Sequence, residues 1–469
     1  MANDNTAQSE PDETTSSATR RNVLKTTGAV TGAALVGTGP VQGGGTEGKD
    51  DESSEEGNPS TNTDPDLVGT WAASPQQPTE EAGFTDGFED QTVRMVVRTS
   101  VGGSSLRIRL ANTFGEETAT ISDVEIGLQH KEAAIVPGSS REVTFGDLDS
   151  VPIPPGAKAY SDPIDLEVDA EQNLVVSLYL PEPAVPPTTH ADSRKTSYIA
   201  SGNHTDDVSG DAFDSPAAGE SDVLTAWFFL EAVDVVSPDT TGAIVTLGNS
   251  ITDGVGSSLD TDSTYPDFLA ERINETSNVE KAVLNAGIGG NRILNNSEGG
   301  GESVLTRLDR DVFGQTGVTD VILLAGTNDI GFSELEEESY KAVTADEIIW
   351  GMKQVIARVR AKDIDIYGAT ILPFKGALYY YEGGEEKRQA VNEWIRTSGA
   401  FDGVFDFDEA VEDPGHALQL LPKYDSGDNL HPSDAGYRKM AKTVDLSEFA
   451  NENEEQESAS GLISSLLVT

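Results

Sequence analysis

Four short polar clusters in this chain each follow a run of apolar residues. They are Gly248-Asn249-Ser250-Ile251-Thr252-Asp253-Gly254, Asn285-Ala286-Gly287-Ile288-Gly289-Gly290-Asn291, Gly326-Thr327-Asn328-Asp329 and Ser426-Gly427-Asp428-Asn429-Leu430-His431-Pro432. Together they hold what acyl transfer requires: a nucleophile, a base, a group that orients the base, and donors for an oxyanion. Ser250 stands in a Gly-flanked turn that can expose its hydroxyl. His431 is one of only five histidines. Asp428, three residues earlier, can reach the His431 Nδ1–H within one loop, leaving Nε2 free to take the serine proton. Gly290 has no side chain, so its N–H can approach a substrate oxygen closely. The Asn328 side chain and the Ser250 N–H complete a set of three candidate oxyanion donors. Alone, each cluster is an ordinary turn or helix cap, and Asp428-x-x-His431 could be half a metal site. The reading rests on all four in order.

Those clusters need elements to gather them. From about Asp239, apolar runs alternate with helical segments. Ala243–Leu247, Ala282–Asn285, Asp320–Leu324, Ile364–Ile371 and Val404–Phe407 read as buried parallel strands. Helical segments are expected at Tyr265–Thr276, Ser303–Phe313, Ala345–Lys362 and Glu386–Ser398. Ile348, Ile349, Met352, Val355, Ile356 and Val359 follow helical spacing, as do Ala390, Val391, Trp394 and Ile395. This β-α-β-α alternation predicts an α/β fold, an open parallel sheet with helices on both faces. Ligands of such sheets bind beyond the carboxyl ends of the strands, where the four clusters fall. Residues 67–236 read differently. Leu106, Ile108 and Leu110 alternate with Arg107 and Arg109, and Ile121–Leu128 and Leu174–Leu180 repeat the signal between Gly- and Pro-rich turns. That predicts an all-β, sandwich-like region.

At these residues the chain resembles the GDSL/SGNH hydrolase family, whose name spells its Ser, Gly, Asn and His. The resemblance covers about residues 240–447. It implies a flavodoxin-like three-layer domain, with Ser250 as nucleophile, Gly290 and Asn328 with Ser250 as the oxyanion hole, and Asp428 and His431 completing the triad, with no metal and no cofactor. Thr370–Phe374, Gln389–Arg396 and His431–Tyr437 look like a secreted branch often found with polysaccharide-degrading systems. Thr70–Ser74 and Asn112–Gly115 resemble the N-terminal β domain of that branch. One position departs: the family usually has Asp where this chain has Asn249. The expected activity is a serine esterase acting on short acyl groups, such as acetyl on polysaccharide. A lipase or general carboxylesterase is the alternative within the class, and a non-catalytic carbohydrate-binding surface protein the alternative outside it. Tyr379 and Tyr380, after a strand end, are candidates for substrate contact. His130, His190, His204 and His416 have no partner at ligand spacing and read as surface or structural. Asp260-Thr261-Asp262 lacks the Gly and Glu of a calcium loop and reads as surface charge.

The composition bears on place more than on chemistry. The chain has 469 residues, 81 acidic against 31 basic, for a net charge of −50, and no cysteine. Thiolate chemistry and disulfides are excluded, and so acid a chain is no general nucleic-acid binder. No run of 18 or more apolar residues occurs, so no stable membrane insertion is expected. Such acidity in an apolar-cored chain suggests adaptation to molar salt, which screens self-repulsion. Thr19-Arg20-Arg21-Asn22-Val23-Leu24-Lys25, followed by small apolar residues, resembles a twin-arginine signal. It implies residues 1–43 as a signal peptide, the twin-arginine machinery as a partner, and a secreted or cell-surface location. Residues 44–66 read as an acidic linker and 448–469 as an acidic tail.

Overall fold

The computed structural model describes residues 66–78, 84–218, 221–276, 278–334 and 341–450. The twin-arginine stretch, the acidic linker apart from Asp66, and the tail from Asn451 lie outside them.

Five parallel strands form the sheet of the C-terminal region: β1 (Ala243–Gly248), β2 (Ala282–Ala286), β3 (Val318–Leu324), β4 (Asp365–Ala369) and β5 (Gly403–Phe405). Their order is β2-β1-β3-β4-β5, and every pair is parallel. Alternate residues serve opposite faces because the side-chain period of a strand is two. Ile244, Val283, Ile322 and Tyr367 pack with α2 (Tyr265–Asn274) and α8 (Asp434–Thr443). Val245, Leu284, Val321 and Ile366 pack with α3 (Val304–Asp311), α5 (Ala345–Arg360) and α6 (Glu382–Thr397). The sheet is thus covered on both sides. β2 lies on one side of β1 and β3 on the other, so the strand order reverses at β1 and its crevice opens between β1 and β3 at their carboxyl ends.

Helix starts are set by caps. Thr264 and Thr344 each close a capping box, with Asp267 and Glu347 respectively, so α2 and α5 begin where the side chains can satisfy orphan amides. α6 begins at Glu382, four residues before the sequence expectation. Short helices follow β1 and β3 directly: α1 (Ser250–Asp253) and α4 (Thr327–Gly331). A further short helix, α7 (Phe407–Val411), follows β5. Neither α1 nor α4 has enough length for a periodicity to show in the sequence.

The N-terminal region consists mainly of two antiparallel sheets. One centres on Gln91–Arg98, Asn173–Leu180 and Ala119–Lys131, the other on Leu230–Val236 and Leu106–Ala111. Val93, Met95 and Val97 from the first share an apolar cluster with Ile108, Leu110, Val233 and Val235 from the second. The same cluster continues into the α/β region. Gly69 N–H donates to Thr316 O at 3.0 Å and Val283 N–H to Ser100 Oγ at 3.1 Å. The scarce bases are used inside: Arg94, Arg109, Arg292, Arg307 and Arg388 are all buried. Arg109 bonds the Gly314 carbonyl and Gln315 Oε1 across the two regions at 2.8 and 2.5 Å. A buried charge needs such partners to offset its lost hydration.

Candidate active site

Gly248 ends β1 with no room for a side chain, since a Cβ would lie 2.5 Å from the Leu324 carbonyl oxygen. The chain therefore turns at once, and Asn249 caps α1 by accepting the Ile251 N–H at 3.0 Å on Oδ1. Asn249 keeps the acceptor that an Asp would supply; its buried Nδ2 finds no acceptor among the described residues. Ser250 opens α1, in the first turn, where amides have no intrahelical acceptor.

The fourth cluster folds over Ser250. Asp425 Oδ1 accepts the Gly427 and Asn429 amides at 2.8 and 3.0 Å, and the Ser426 amide bonds the His431 carbonyl at 2.9 Å. Asn429 takes φ +63°, which Asn tolerates better than most residues. The loop so closed points the His431 ring inward. His431 Nε2 lies 2.9 Å from Ser250 Oγ, and Nδ1 lies 2.5 Å from Asp428 Oδ2. The other carboxylate oxygen of Asp428 accepts the Leu430 and His431 amides at 2.9 and 2.8 Å. Partial burial pushes the Asp428 carboxyl up, but the ring hydrogen bond, those amides and the imidazole's charge together hold it far below the usual carboxylate range. α8 braces the arrangement: the Tyr437 hydroxyl donates to the Val255 carbonyl at 2.5 Å, just after α1.

The second cluster forms a turn closed by Asn291 N–H to Ile288 O at 3.1 Å, with Gly290 at φ +71°. That conformation favours glycine. Around it the Gly287, Ile288 and Gly289 amides are engaged, by Asn285 Oδ1 at 2.9 Å, Gly248 O at 3.3 Å and Asp253 Oδ2 at 3.0 Å. The Gly290 amide makes no such bond among the described residues. Asn328, buried in α4, donates from Nδ2 to the Asn291 carbonyl at 3.0 Å, which leaves its second N–H. The Tyr379 hydroxyl donates to Asn328 Oδ1 at 3.1 Å and so fixes which end of the amide is the donor. Asp329, next in the chain, takes the Ile293 and Leu294 amides at 2.9 and 3.2 Å. Burial raises its carboxyl to about 6 against the pull of those amides.

Three further residues serve this site without standing out in the sequence. Arg307 of α3 donates to the Gly248 and Ala286 carbonyls, both at 2.9 Å, and to Asn291 Oδ1 at 3.1 Å. One guanidinium thereby ties together the ends of β1 and β2 and the Gly290 loop. Asp311 faces it at 2.9 Å. His190 is the third. Read from the sequence as surface or structural, it is buried, and its Nε2 lies 3.0 Å from Asp253 Oδ1. The two are 63 positions apart in the chain, so no local spacing could have paired them. Tyr379 packs beside Phe332 and Phe374, and Tyr380 beside Phe374. Asp262 is more than surface charge: it pairs with Arg98 at 2.8 Å and Lys195 at 2.6 Å. Asp260 accepts the Thr196 amide and hydroxyl at 2.8 and 2.7 Å.

Residues 246–439 match the GDSL-like Lipase/Acylhydrolase family. Among solved structures, a GDSL-like lipase from Bacteroides thetaiotaomicron is 20% identical with a TM-score of 0.34, over 44% of this chain and 88% of its own. A catalytic mutant of an acetylxylan esterase from Geobacillus stearothermophilus is 21% identical with a TM-score of 0.34, over 45% and 96%. The aryl esterase of M. smegmatis is 17% identical with a TM-score of 0.35, over 43% and 95%. No curated protein matches the chain. With its acylhydrolase domain the chain is a hydrolase of ester bonds.

Proposed function

We propose that the protein is an exported serine esterase that removes short acyl groups, such as acetyl, from polysaccharide. The observation that carries the catalytic part is the unbroken hydrogen-bond chain from Ser250 Oγ through His431 to Asp428. Ser250 Oγ attacks the ester carbonyl carbon while His431 Nε2 takes its proton. Asp428 holds the ring with Nδ1–H toward itself and stabilises the imidazolium that forms. Negative charge on the carbonyl oxygen is met by the amides of Ser250 and Gly290 and by the free Asn328 N–H. Collapse of the tetrahedral adduct breaks the bond to the alkoxy oxygen, which leaves with the proton from Nε2. Water then attacks the acyl-enzyme, giving its proton to the same nitrogen, and the second collapse releases the carboxylic acid and Ser250.

Support for short acyl groups comes from the resemblance to a secreted, polysaccharide-associated branch. Support for export comes from Arg20-Arg21 and the small apolar run after them, and for work in concentrated salt from the net charge of −50. The test is hydrolysis of p-nitrophenyl acetate, in concentrated salt, by the wild type and Ser250→Ala. Loss of the nucleophile should lower kcat by a factor on the order of 10⁴ or more. An unchanged rate would sink the mechanism.

A further inference from the structure

Beside Gly290 an open cleft of about 690 Å³ runs between the two regions of the chain. Gly289, Gly290 and Phe332 line it from the catalytic side, and Asp192, Arg194 and Thr225 from the β region. An acetyl group would occupy a small part of it, since clefts of about 300–1,000 Å³ take ligands of many more atoms. Asp192 and Arg194 both stand at φ +55°, two positions apart on the β-region wall. The same two side chains are pinned: Arg194 Nη1 bonds Asp192 Oδ1 at 3.0 Å, and the guanidinium also bonds the Ser257 carbonyl.

We infer that this cleft holds the alcohol portion of the ester, that this portion is an uncharged glycosyl unit, and that Asp192 and Arg194 are its polar contacts. A fixed carboxylate–guanidinium pair offers acceptors and donors to vicinal hydroxyls without reorganising on binding. Phe332 supplies an apolar face of the kind a sugar ring covers. A long acyl chain in the same place would strip water from Asp192 and Arg194 and return no hydrogen bond. Glu298 also lines the cleft, so a uronate would meet like charge.

The inference rests on the short-acyl reading, and three substrates separate the two: p-nitrophenyl acetate, p-nitrophenyl octanoate and acetylated neutral xylo-oligosaccharides. Thr225→Trp, which fills the cleft, should lower kcat/KM on the oligosaccharides by about tenfold or more and leave p-nitrophenyl acetate within about twofold. Asp192→Asn, which keeps a residue tolerant of positive φ, should raise the oligosaccharide KM severalfold with kcat nearly unchanged. Wild-type release of acetate from the oligosaccharides with both variants unimpaired would overturn the inference alone. Selective loss of the octanoate by Thr225→Trp would overturn it by placing the acyl chain in the cleft. A wild type that cleaves the octanoate but frees no acetate from the oligosaccharides would overturn the short-acyl reading and the inference with it.

Discussion

His190 of the β region and Asp253 of α1 form a buried hydrogen-bonded pair. Both ring nitrogens face oxygen acceptors: Nε2 lies 3.0 Å from Asp253 Oδ1, and Nδ1 lies 2.8 Å from the Ser74 carbonyl. A neutral imidazole has one N–H and would turn a lone pair on one of them. Burial disfavours the charged ring, but the Asp253 carboxylate and the two hydrogen bonds outweigh it, so the pKa is raised. Asp253 passes the constraint on, because its other oxygen holds the Gly289 amide at 3.0 Å, beside Gly290. The stabilisation is full below the unfolded histidine pKa of about 6.5 and is lost as pH rises through the folded value. His190→Phe should cost about 3–5 kcal/mol by leaving a buried carboxylate unpaired. It should also lower kcat more than it changes KM. Thermal melts across pH 6 to 9 check the first: the wild type should lose stability as pH rises, and the variant should lose that slope.

Tyr379 sets the orientation of Asn328. Without its hydroxyl the amide can turn over and present oxygen where a donor is needed. Tyr379→Phe should reduce kcat by about fivefold, in line with one hydrogen bond of about 1 kcal/mol. Asn328→Ala should reduce it by about 10²–10³. The double variant should be no worse than Asn328→Ala alone. Additive losses would mean that the phenol acts on its own.

Asp428 stays ionised well into acid. Its depressed pKa contributes stability above the unfolded value of about 3.9, and this is lost only as pH falls through the folded one. Protonation of Asp428 should therefore not shape the acid limb of kcat/KM in the mildly acidic range. Asp428→Asn should lower kcat by orders of magnitude, because an amide cannot anchor the needed ring tautomer in the same way. An Asp428→Asn variant that keeps the wild-type kcat would contradict the assignment.

Salt should stabilise the fold. With a net charge of −50, self-repulsion opposes the compact state at low salt. At about 1 M salt the Debye length is about 3 Å, against about 10 Å at 0.1 M. The melting temperature should rise steadily between those concentrations and beyond. A melting temperature indifferent to salt would count against adaptation to brine.

What neighbouring residues encode locally was legible in the order of residues. Apolar runs marked β1 to β5, helical spacing marked α5 and α6, and four polar clusters after predicted strands named Ser250, Gly290, Asn328, Asp428 and His431. The Asp428–His431 pair was legible because three residues separate them and one loop can close it. The short helices α1 and α4 were not, because four or five residues carry no period. Still less legible were the contacts made by chain reversal. Arg307 reaches three loop ends, Tyr379 reaches Asn328 across 51 positions, and His190 reaches Asp253 from the other region. Only packing decides such pairs: burial in the shared apolar core makes each polar group find a partner nearby, wherever in the chain that partner lies.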